Sequence, residues 1–228
     1  MPKYDVTKLN VAIDRLLEDV EKPLHRFILQ CYARHRALEV AGRWEEIFSP
    51  DMMNPDPEYH FTQAGIHAKG QDAVKSLYRM WADTDQSIFF VENEEVAVAD
   101  HFVCSVAVVH QQLSGKSLRQ AKVLKHLPHH FSDAIVERAL SAKNWKADDD
   151  NIFLYKTKIE MVWPFDDRGR VSGEDVYEPD PDKADVHKLD RADVLTTQEA
   201  GKLLAPFIKP LPSFDEMVLG KKPQAAAV

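Results

Sequence analysis

The chain has 228 residues, 44% of them hydrophobic, and a formal net charge of -8 at pH 7. This length allows one domain with a complete core and some additions. The acidic balance argues against a nucleic-acid binder, which needs a basic face, and against binding to an anionic membrane surface. No apolar run approaches the roughly 20 residues of a membrane helix. The acids within "NVAIDRLLEDVEKP" argue against a signal peptide, so we expect a cytoplasmic protein.

The first third of the chain has helical patterns. The segment "TKLNVAIDRLLEDV" carries apolar residues at helical spacing, and Pro23 opens a longer helix with one apolar seam. The segment "MNPDPE" is interpreted as a loop that leads into a short strand, "YHFTQA". A compact helix follows Gly70. These patterns predict three helices and one strand before residue 85.

The second half is predicted to form antiparallel strands. Four segments read as strands: "SIFFVENEEVAVA", "HFVCSVAVVHQQLSG", "IFLYKTKIEMVW" and "RVSGEDVYEP". Positions 116–151 are interpreted as an insertion within a single domain, 1–180. Residues 181–228 are interpreted as an extended arm that packs on this domain or on a partner subunit, with one helix opened by the capping box Thr196-x-x-Glu199. The order predicts an α+β domain with helices packed on one face of a curved sheet.

Three segments carry a resemblance to a known superfamily: "YARHRALEVAGRWEEIFSPD", "YHFTQAGIHAKGQDAVKSLYRMW" and "VWPFDDRGRVSGEDVYEPD". Together they resemble the nuclear transport factor 2-like, or SnoaL-like, superfamily. The resemblance implies a cone, in which a curved antiparallel sheet wraps around helices and leaves a pocket between them. Members include cofactor-free dehydratases, isomerases and cyclases. A weaker similarity is to bacterial diarylpropane lyases, which release formaldehyde from lignin-derived aromatic dimers without a cofactor.

His110 is the first candidate catalytic residue. With a period of two it shares a strand face with Phe102, Cys104, Val106 and Val108, which is apolar until its last member. It is therefore either a strand end in solvent or a titratable group directed into an apolar cavity. Scytalone dehydratase, a member of the superfamily, has a catalytic histidine at the position that "VVHQQL" matches, which favours the second interpretation.

Two adjacent pairs supply further candidates. Tyr59 and His60 point to opposite faces of their strand, so one enters the pocket and the other does not, and parity alone leaves the choice open. His35 and Glu39 stand one helical turn apart, close enough to pair. His35 is either a core histidine or a substrate contact. The superfamily often has an acid where Glu39 falls, which implies a carboxylate that orients an imidazole or a water. Glu39, Tyr59 and His60 join His110 as the expected catalytic residues.

The remaining candidates are substrate contacts. Tyr78, Trp81 and Phe90 are aromatic residues that belong either to the core or to the pocket. In "YKTKIEM", Lys158 and Glu160 lie on the strand face opposite Tyr155. That charged face is either solvated or directed into the pocket, where a lysine could hold a phenolate. The expected substrate-binding set comprises His35, Tyr78, Trp81, Phe90, Tyr155, Lys158 and Glu160.

No metal or cofactor site is expected. The spacing of His126, His129 and His130 in "KHLPHHF" is not a recognised zinc pattern, and His67 in "GIHAKG" is interpreted as an ordinary loop histidine. The sequence contains no GxSxG elbow, P-loop, dinucleotide fingerprint or CxxC motif. Hydride transfer, phosphoryl transfer and serine hydrolysis are therefore not favoured.

The leading hypothesis is a cofactor-independent lyase that acts by general acid–base elimination on a small hydrophobic aromatic alcohol. The resemblance points further, to dehydration and loss of formaldehyde from a diarylpropane diol. The alternative is a non-catalytic binding or scaffold module, such as the small subunit of a ring-hydroxylating dioxygenase. A homodimer or homotrimer is expected, with no nucleic-acid or membrane partner.

Overall fold

The computed structural model describes residues 5–62, 65–115, 151–180 and 183–221. The α-helices within these ranges are α1 (Val11–Asp19), α2 (Pro23–Val40), α3 (Gln71–Asp83), α4 (Thr197–Leu204) and α5 (Phe214–Met217). The strands are β1 (Met53–Phe61), β2 (Ile66–Lys69), β3 (Phe89–Val98), β4 (Phe102–Ser114), β5 (Ile152–Pro164), β6 (Val171–Tyr177) and β7 (Asp185–Lys188). No helix in the described ranges is long and apolar enough to cross a membrane.

All seven strands belong to one sheet, in the order β2-β1-β6-β5-β4-β3, and β7 pairs with the first half of β5. Every pair is antiparallel except β1 with β6, which is parallel. Bulges bend the sheet; in β3 the bulge falls at Asn93, whose φ of 52° is left-handed. The predicted α+β class with a curved sheet is confirmed, with one parallel pair that the pattern did not predict.

Helix α2 packs across one face of the sheet, which we call the inner face. Pro23 occupies its first turn, where the missing N–H costs nothing, and the helix runs unbroken for 18 residues. Tyr32 on α2 lies 3.2 Å from Ser105 Oγ on β4, both buried. The main core lies between α2, α3 and this inner face. It includes Ile28, Leu38, Val74, Val103 and Val171.

The strand face of β4 that carries His110 is not the face that α2 covers. Phe102 and Val106 are 42% and 37% exposed, whereas Val103 and Ala107, at odd positions, are buried. The even positions, His110 among them, therefore lie on the outer face of the sheet, away from α2. Both faces of this strand carry apolar residues, so alternation did not identify the one that is covered.

The start of the sheet also differs from the prediction. "MNPDPE", interpreted as a loop, is part of β1. "IHAK" is β2, so the interpretation of His67 as a loop histidine is wrong. Two prolines cannot donate ladder hydrogen bonds, and the pairing with β6 shifts register between Met53 and Glu58. Gly173 permits the close approach that follows, because a Cβ there would lie 2.0 Å from the carbonyl oxygen of Glu58.

The C-terminal segment makes specific contacts with α2. The capping box is confirmed: the Thr196 hydroxyl accepts from the Glu199 backbone N–H, and the Glu199 carboxylate accepts from the Thr196 N–H. Farther on, Phe214 meets Phe27 edge-to-face at 5.2 Å.

Residues 116–150, nearly all of the predicted insertion, lie outside the described residues, as do His126, His129 and His130.

Candidate active site

A chain of hydrogen bonds joins α2, α3 and β1 in the interior. His35 Nε2 lies 2.6 Å from the Tyr78 hydroxyl, which donates to the Tyr59 hydroxyl at 3.3 Å. Since the Tyr78 proton is used toward Tyr59, its oxygen accepts from His35 Nε2–H. The network therefore assigns the His35 tautomer and leaves Nδ1 as an acceptor. All three side chains are almost fully buried.

Two carboxyl groups approach the same region from opposite sides. Glu39 lies one turn beyond His35 on α2, and Glu174 lies on β6 and is 7% exposed. Burial raises the pKa of Glu39 to about 8, against the lowering effect of Arg36. Burial, with added repulsion from Glu39, raises the pKa of Glu174 well above its usual range. Two like charges in a desolvated site disfavour double ionisation, so the pair retains a proton near neutral pH.

Arg36 supplies a permanent positive charge beside this pair. Its guanidinium donates to Glu94 Oε1 at 2.8 Å, with both side chains at most 3% exposed, and lies 5.1 Å from the Tyr32 ring centroid. Burial, assisted by Arg36, lowers the pKa of His35 to about 3. The imidazole is therefore neutral near pH 7 and can accept a hydrogen bond at Nδ1.

Several buried polar atoms of this cluster lack a partner. Among the described residues, those without a hydrogen bond include His35 Nδ1, Arg36 Nη2, Glu94 Oε2 and Trp163 Nε1. The Trp163 ring meets His35 edge-to-face at 4.8 Å, and it meets the Tyr32 ring, beside which Arg36 bonds to Glu94, at 5.1 Å. Unpaired buried polar groups are rare in native structures. The unpaired atoms therefore make this region a candidate site for a polar ligand.

The predicted inner residues divide into two groups. Tyr59, rather than His60, is the member of its pair that enters the interior, and Trp81 packs edge-to-face on Tyr78 at 5.4 Å. Tyr155 is also on the inner face but belongs to a second polar group. Its hydroxyl donates to Glu178 at 2.6 Å, and the Thr157 hydroxyl donates to the same carboxylate oxygen.

His110 is not brought together with the inner cluster. On the outer face its Nε2 lies 3.0 Å from Glu92 Oε2, and its ring stacks on Phe90 at 4.3 Å. Burial lowers the pKa of His110, and Glu92 opposes this. The carboxylate and aromatic partners of this imidazole therefore lie on the outer face, and neither belongs to the inner cluster.

The charged candidates also lie on the outer face. Lys158 and Glu160 are about half exposed and pair with each other at 3.2 Å. His60, 42% exposed at its side chain, pairs with Asp175 at 2.8 Å. The structure therefore separates His60, Lys158 and Glu160 from the inner cluster. The positions of Lys158 and Glu160 fit the interpretation in which the charged face of "YKTKIEM" is exposed to solvent.

Sequence reasoning missed Glu174, Arg36, Glu94 and Trp163 as members of this cluster. A signal existed for Glu174, because period two places it on the same face as Val176, an apolar position that packs inward beside Met161. Arg36 directly follows His35 on α2, and both side chains are buried. Glu94 could not be found by alternation, because the bulge at Asn93 reverses the parity of β3.

No family model matches the sequence, and no curated protein matches it. Some solved structures are similar in fold. A candidate SnoaL-like polyketide cyclase from Jannaschia sp. CCS1 is 12% identical, with 71% of this chain and 91% of that chain covered and a TM-score of 0.46. An NTF2-like protein from Anabaena variabilis ATCC 29413 is 10% identical, with 78% and 93% covered and a TM-score of 0.37. The likeness concerns the fold alone: the neighbours are SnoaL-like and NTF2-like proteins.

Proposed function

We propose that the protein is a cofactor-independent enzyme that carries out general acid–base elimination in the interior of its curved sheet. The observation that carries this proposal is the pair formed by the partly exposed Glu39 and the buried Glu174, whose raised pKa values keep a proton on the pair near neutral pH; loss of one proton from the pair leaves an acid beside a base. Such a pair offers an acid and a base in one site without a metal or a nucleotide. The pKa of about 8 for Glu39 lies close to neutrality, where general acid–base catalysis is most effective.

The surrounding groups favour a phenolic or alcoholic substrate. The Tyr59 and Tyr78 hydroxyls and the free Nδ1 of His35 can bind hydroxyl groups, while Trp163, Trp81 and Phe61 supply aromatic contacts. Burial raises the pKa of both tyrosines well above the usual value, so they remain protonated donors. A hydrophobic aromatic alcohol fits this combination of donors, acceptor and rings.

The finer proposal is a diarylpropane diol that carries a phenol, a benzylic hydroxyl and a neighbouring hydroxymethyl group. In a first step the ionised carboxylate accepts the phenolic proton, and the protonated carboxyl group donates to the departing benzylic hydroxyl. Water leaves, and a quinone methide remains. In a second step the newly ionised carboxylate accepts the hydroxymethyl proton, and the electrons of the breaking carbon–carbon bond restore the aromatic ring. The other carboxyl group returns its proton to the phenolate oxygen.

This sequence yields a stilbene, one water and one formaldehyde, and it restores the carboxyl pair. The test is to incubate the purified protein with a phenolic diarylpropane diol and to measure stilbene absorbance and formaldehyde together. Equal amounts of both products are expected, with no turnover of the analogue whose phenol is methylated. Turnover of the methylated analogue at the same rate would contradict the quinone methide route. Absence of any product from several such diols would contradict the lyase proposal.

A second candidate function, assembly through the outer face of the sheet, is favoured by one specific observation. Four apolar or aromatic residues on the outer face of the central strands β4, β5 and β6 are 37–47% exposed: Phe102, Val106, Val162 and Tyr177. Exposed apolar groups that share one face often mark an interface. A second copy of this chain, as a homodimer or homotrimer, is the proposed occupant. Val106→Glu should then lower the mass measured by light scattering, whereas Leu203→Glu, at an exposed position of α4, should not. An unchanged mass for both variants would exclude this interface.

A further inference from the structure

A cluster of metal-binding side chains lies on the outer face, at the edge of the sheet formed by β1 and β2. Glu58, His60 and His67 each offer one ligand atom, and these atoms all lie within 4.8 Å of one another. His67 Nε2 is 2.7 Å from Glu58 Oε1, and His60 Nε2 is 3.6 Å from the same oxygen. The side chains are 37–57% exposed, so a cation can reach them from solvent.

The backbone places these three groups together. Glu58 and His60 are two residues apart on β1, so they share a strand face, and His67 is the direct cross-strand partner of His60 on β2. The two imidazole rings stack at 4.5 Å between centroids with 25° between their planes. The convergence therefore follows from strand register and does not depend on long flexible side chains.

A neighbouring carboxylate fixes the orientation of one ligand. His60 Nδ1 donates to Asp175 Oδ1 at 2.8 Å, across the β1–β6 pairing in which the two residues are register partners. A proton held on Nδ1 leaves the Nε2 lone pair directed toward Glu58 and His67. Histidine ligands of metals commonly have such a carboxylate partner, which also increases their basicity.

We propose that Glu58, His60 and His67 form a binding site for a divalent first-row transition metal, with Zn²⁺ as the best match. Zinc prefers imidazole nitrogen and carboxylate oxygen at about 2.0–2.2 Å in tetrahedral geometry, which places ligand atoms about 3.3 Å apart. The distances from Glu58 Oε1 to His67 Nε2 and His60 Nε2, 2.7 and 3.6 Å, lie on either side of this value. Three protein ligands leave a fourth position for water or an external group.

The site is distinct from the inner cluster. Tyr59, between Glu58 and His60, points to the opposite face of β1, so the metal ligands and the proposed catalytic groups lie on two sides of the strand. Lys69 Nζ lies 3.3 Å from Glu58 Oε2 and its charge opposes cation binding. Removing that charge should therefore tighten binding, which a purely adventitious surface histidine would not show.

The test is calorimetric titration of the full chain with zinc chloride after dialysis against a chelator. One saturable site per chain is expected. His60→Ala and His67→Ala should each weaken it at least about 10-fold, and Asp175→Asn about 10- to 100-fold because it orients a ligand. Lys69→Met should bind more tightly than the wild type. His101→Ala and His187→Ala serve as controls, since each is an exposed histidine beside a single aspartate.

Direct binding keeps this test independent of the proposed lyase activity. Circular dichroism of each variant checks that the fold is retained. Co²⁺ in place of zinc adds a spectroscopic readout, because a tetrahedral site absorbs strongly in the visible range and His60→Ala should abolish that band. No saturable binding would overturn the proposal, as would a site that survives both His60→Ala and His67→Ala or is lost only when His126, His129 and His130 are replaced.

Discussion

His35 Nε2 and the Tyr78 hydroxyl lie 2.6 Å apart in the interior, a contact that joins α2 to α3 beside the carboxyl pair. It links two helices that the sequence pattern treats as separate, and it fixes which imidazole nitrogen carries the proton. The same hydroxyl donates to Tyr59, so one oxygen atom determines the orientation of three side chains.

Tyr78→Phe should destabilise the fold and lower activity together. Loss of the hydroxyl leaves His35 Nε2–H without an acceptor, and an unsatisfied buried donor costs about 1–3 kcal/mol. Urea unfolding measures this loss. Tyr177→Phe is the matched control, because Tyr177 is 47% exposed. Equal stability of the two variants would show that the chain of hydrogen bonds through Tyr78 contributes nothing to the stability of the fold.

Stability should fall as the pH rises from about 6.5 to 8. The pKa of Glu39 is raised to about 8 from an ordinary value of 4.5, so in this window the native state binds more protons than the unfolded state. One such group changes the free energy of unfolding by at most about 1.4 kcal/mol per pH unit. His35, whose pKa is lowered to about 3, acts in the opposite sense only below pH 6.5.

The check is the melting temperature of wild type and Glu39→Gln across pH 6.5–8. The variant should show a smaller decline than the wild type, whereas Glu95→Gln, on the exposed outer face of β3, should match it. Parallel curves for wild type and Glu39→Gln would mean that the Glu39 carboxyl group is ionised in the folded protein throughout this range.

His110→Asn should have only a small effect on turnover, although the strand pattern made His110 the first catalytic candidate. Its imidazole bonds to Glu92 on the outer face and contacts none of the inner groups. Glu174→Gln should lower kcat by at least about 10², the usual contribution of a positioned acid or base. A loss of that size for His110→Asn would move the active site to the outer face.

Phe214→Ala should lower the melting temperature more than Phe207→Ala. Phe214 packs on Phe27 and lies under the Arg168 guanidinium at 4.8 Å, whereas Phe207 is 52% exposed. An aromatic pair of this kind contributes about 0.5–1.5 kcal/mol beyond area burial. If the two variants have the same melting temperature, the C-terminal segment does not contribute to stability through this contact.

The helices and the long strands could be predicted from the sequence because their periodicity and caps are local properties. Pro23 and the Thr196–Glu199 box are local signals of this kind, and both are found as predicted. The covered face of β4 could not be predicted, since Val103 and Val106 are equally apolar and only the position of α2 decides which is buried.

The sites depended on pairing between strands that are distant in sequence. His67 is unremarkable within "GIHAKG", and it becomes a candidate ligand only because β2 pairs with β1 and places it opposite His60. Likewise Glu174 meets Glu39 only after β6 has joined the sheet above α2. Alternation assigns such residues to a face of a strand. His60 and Asp175 are 115 residues apart in sequence, however, so the strand register that pairs them is determined by the whole fold.

The most direct test of the central claim compares kcat for Glu39→Gln, Glu174→Gln and the double variant on a diarylpropane diol that the wild type turns over. If the two carboxyl groups act as one acid–base unit, each single variant should lose at least about 10²-fold and the double variant little more, since residues that act together are not additive. Glu95→Gln should retain wild-type kcat. Single variants that keep wild-type turnover, or losses that simply multiply in the double variant, would contradict the account.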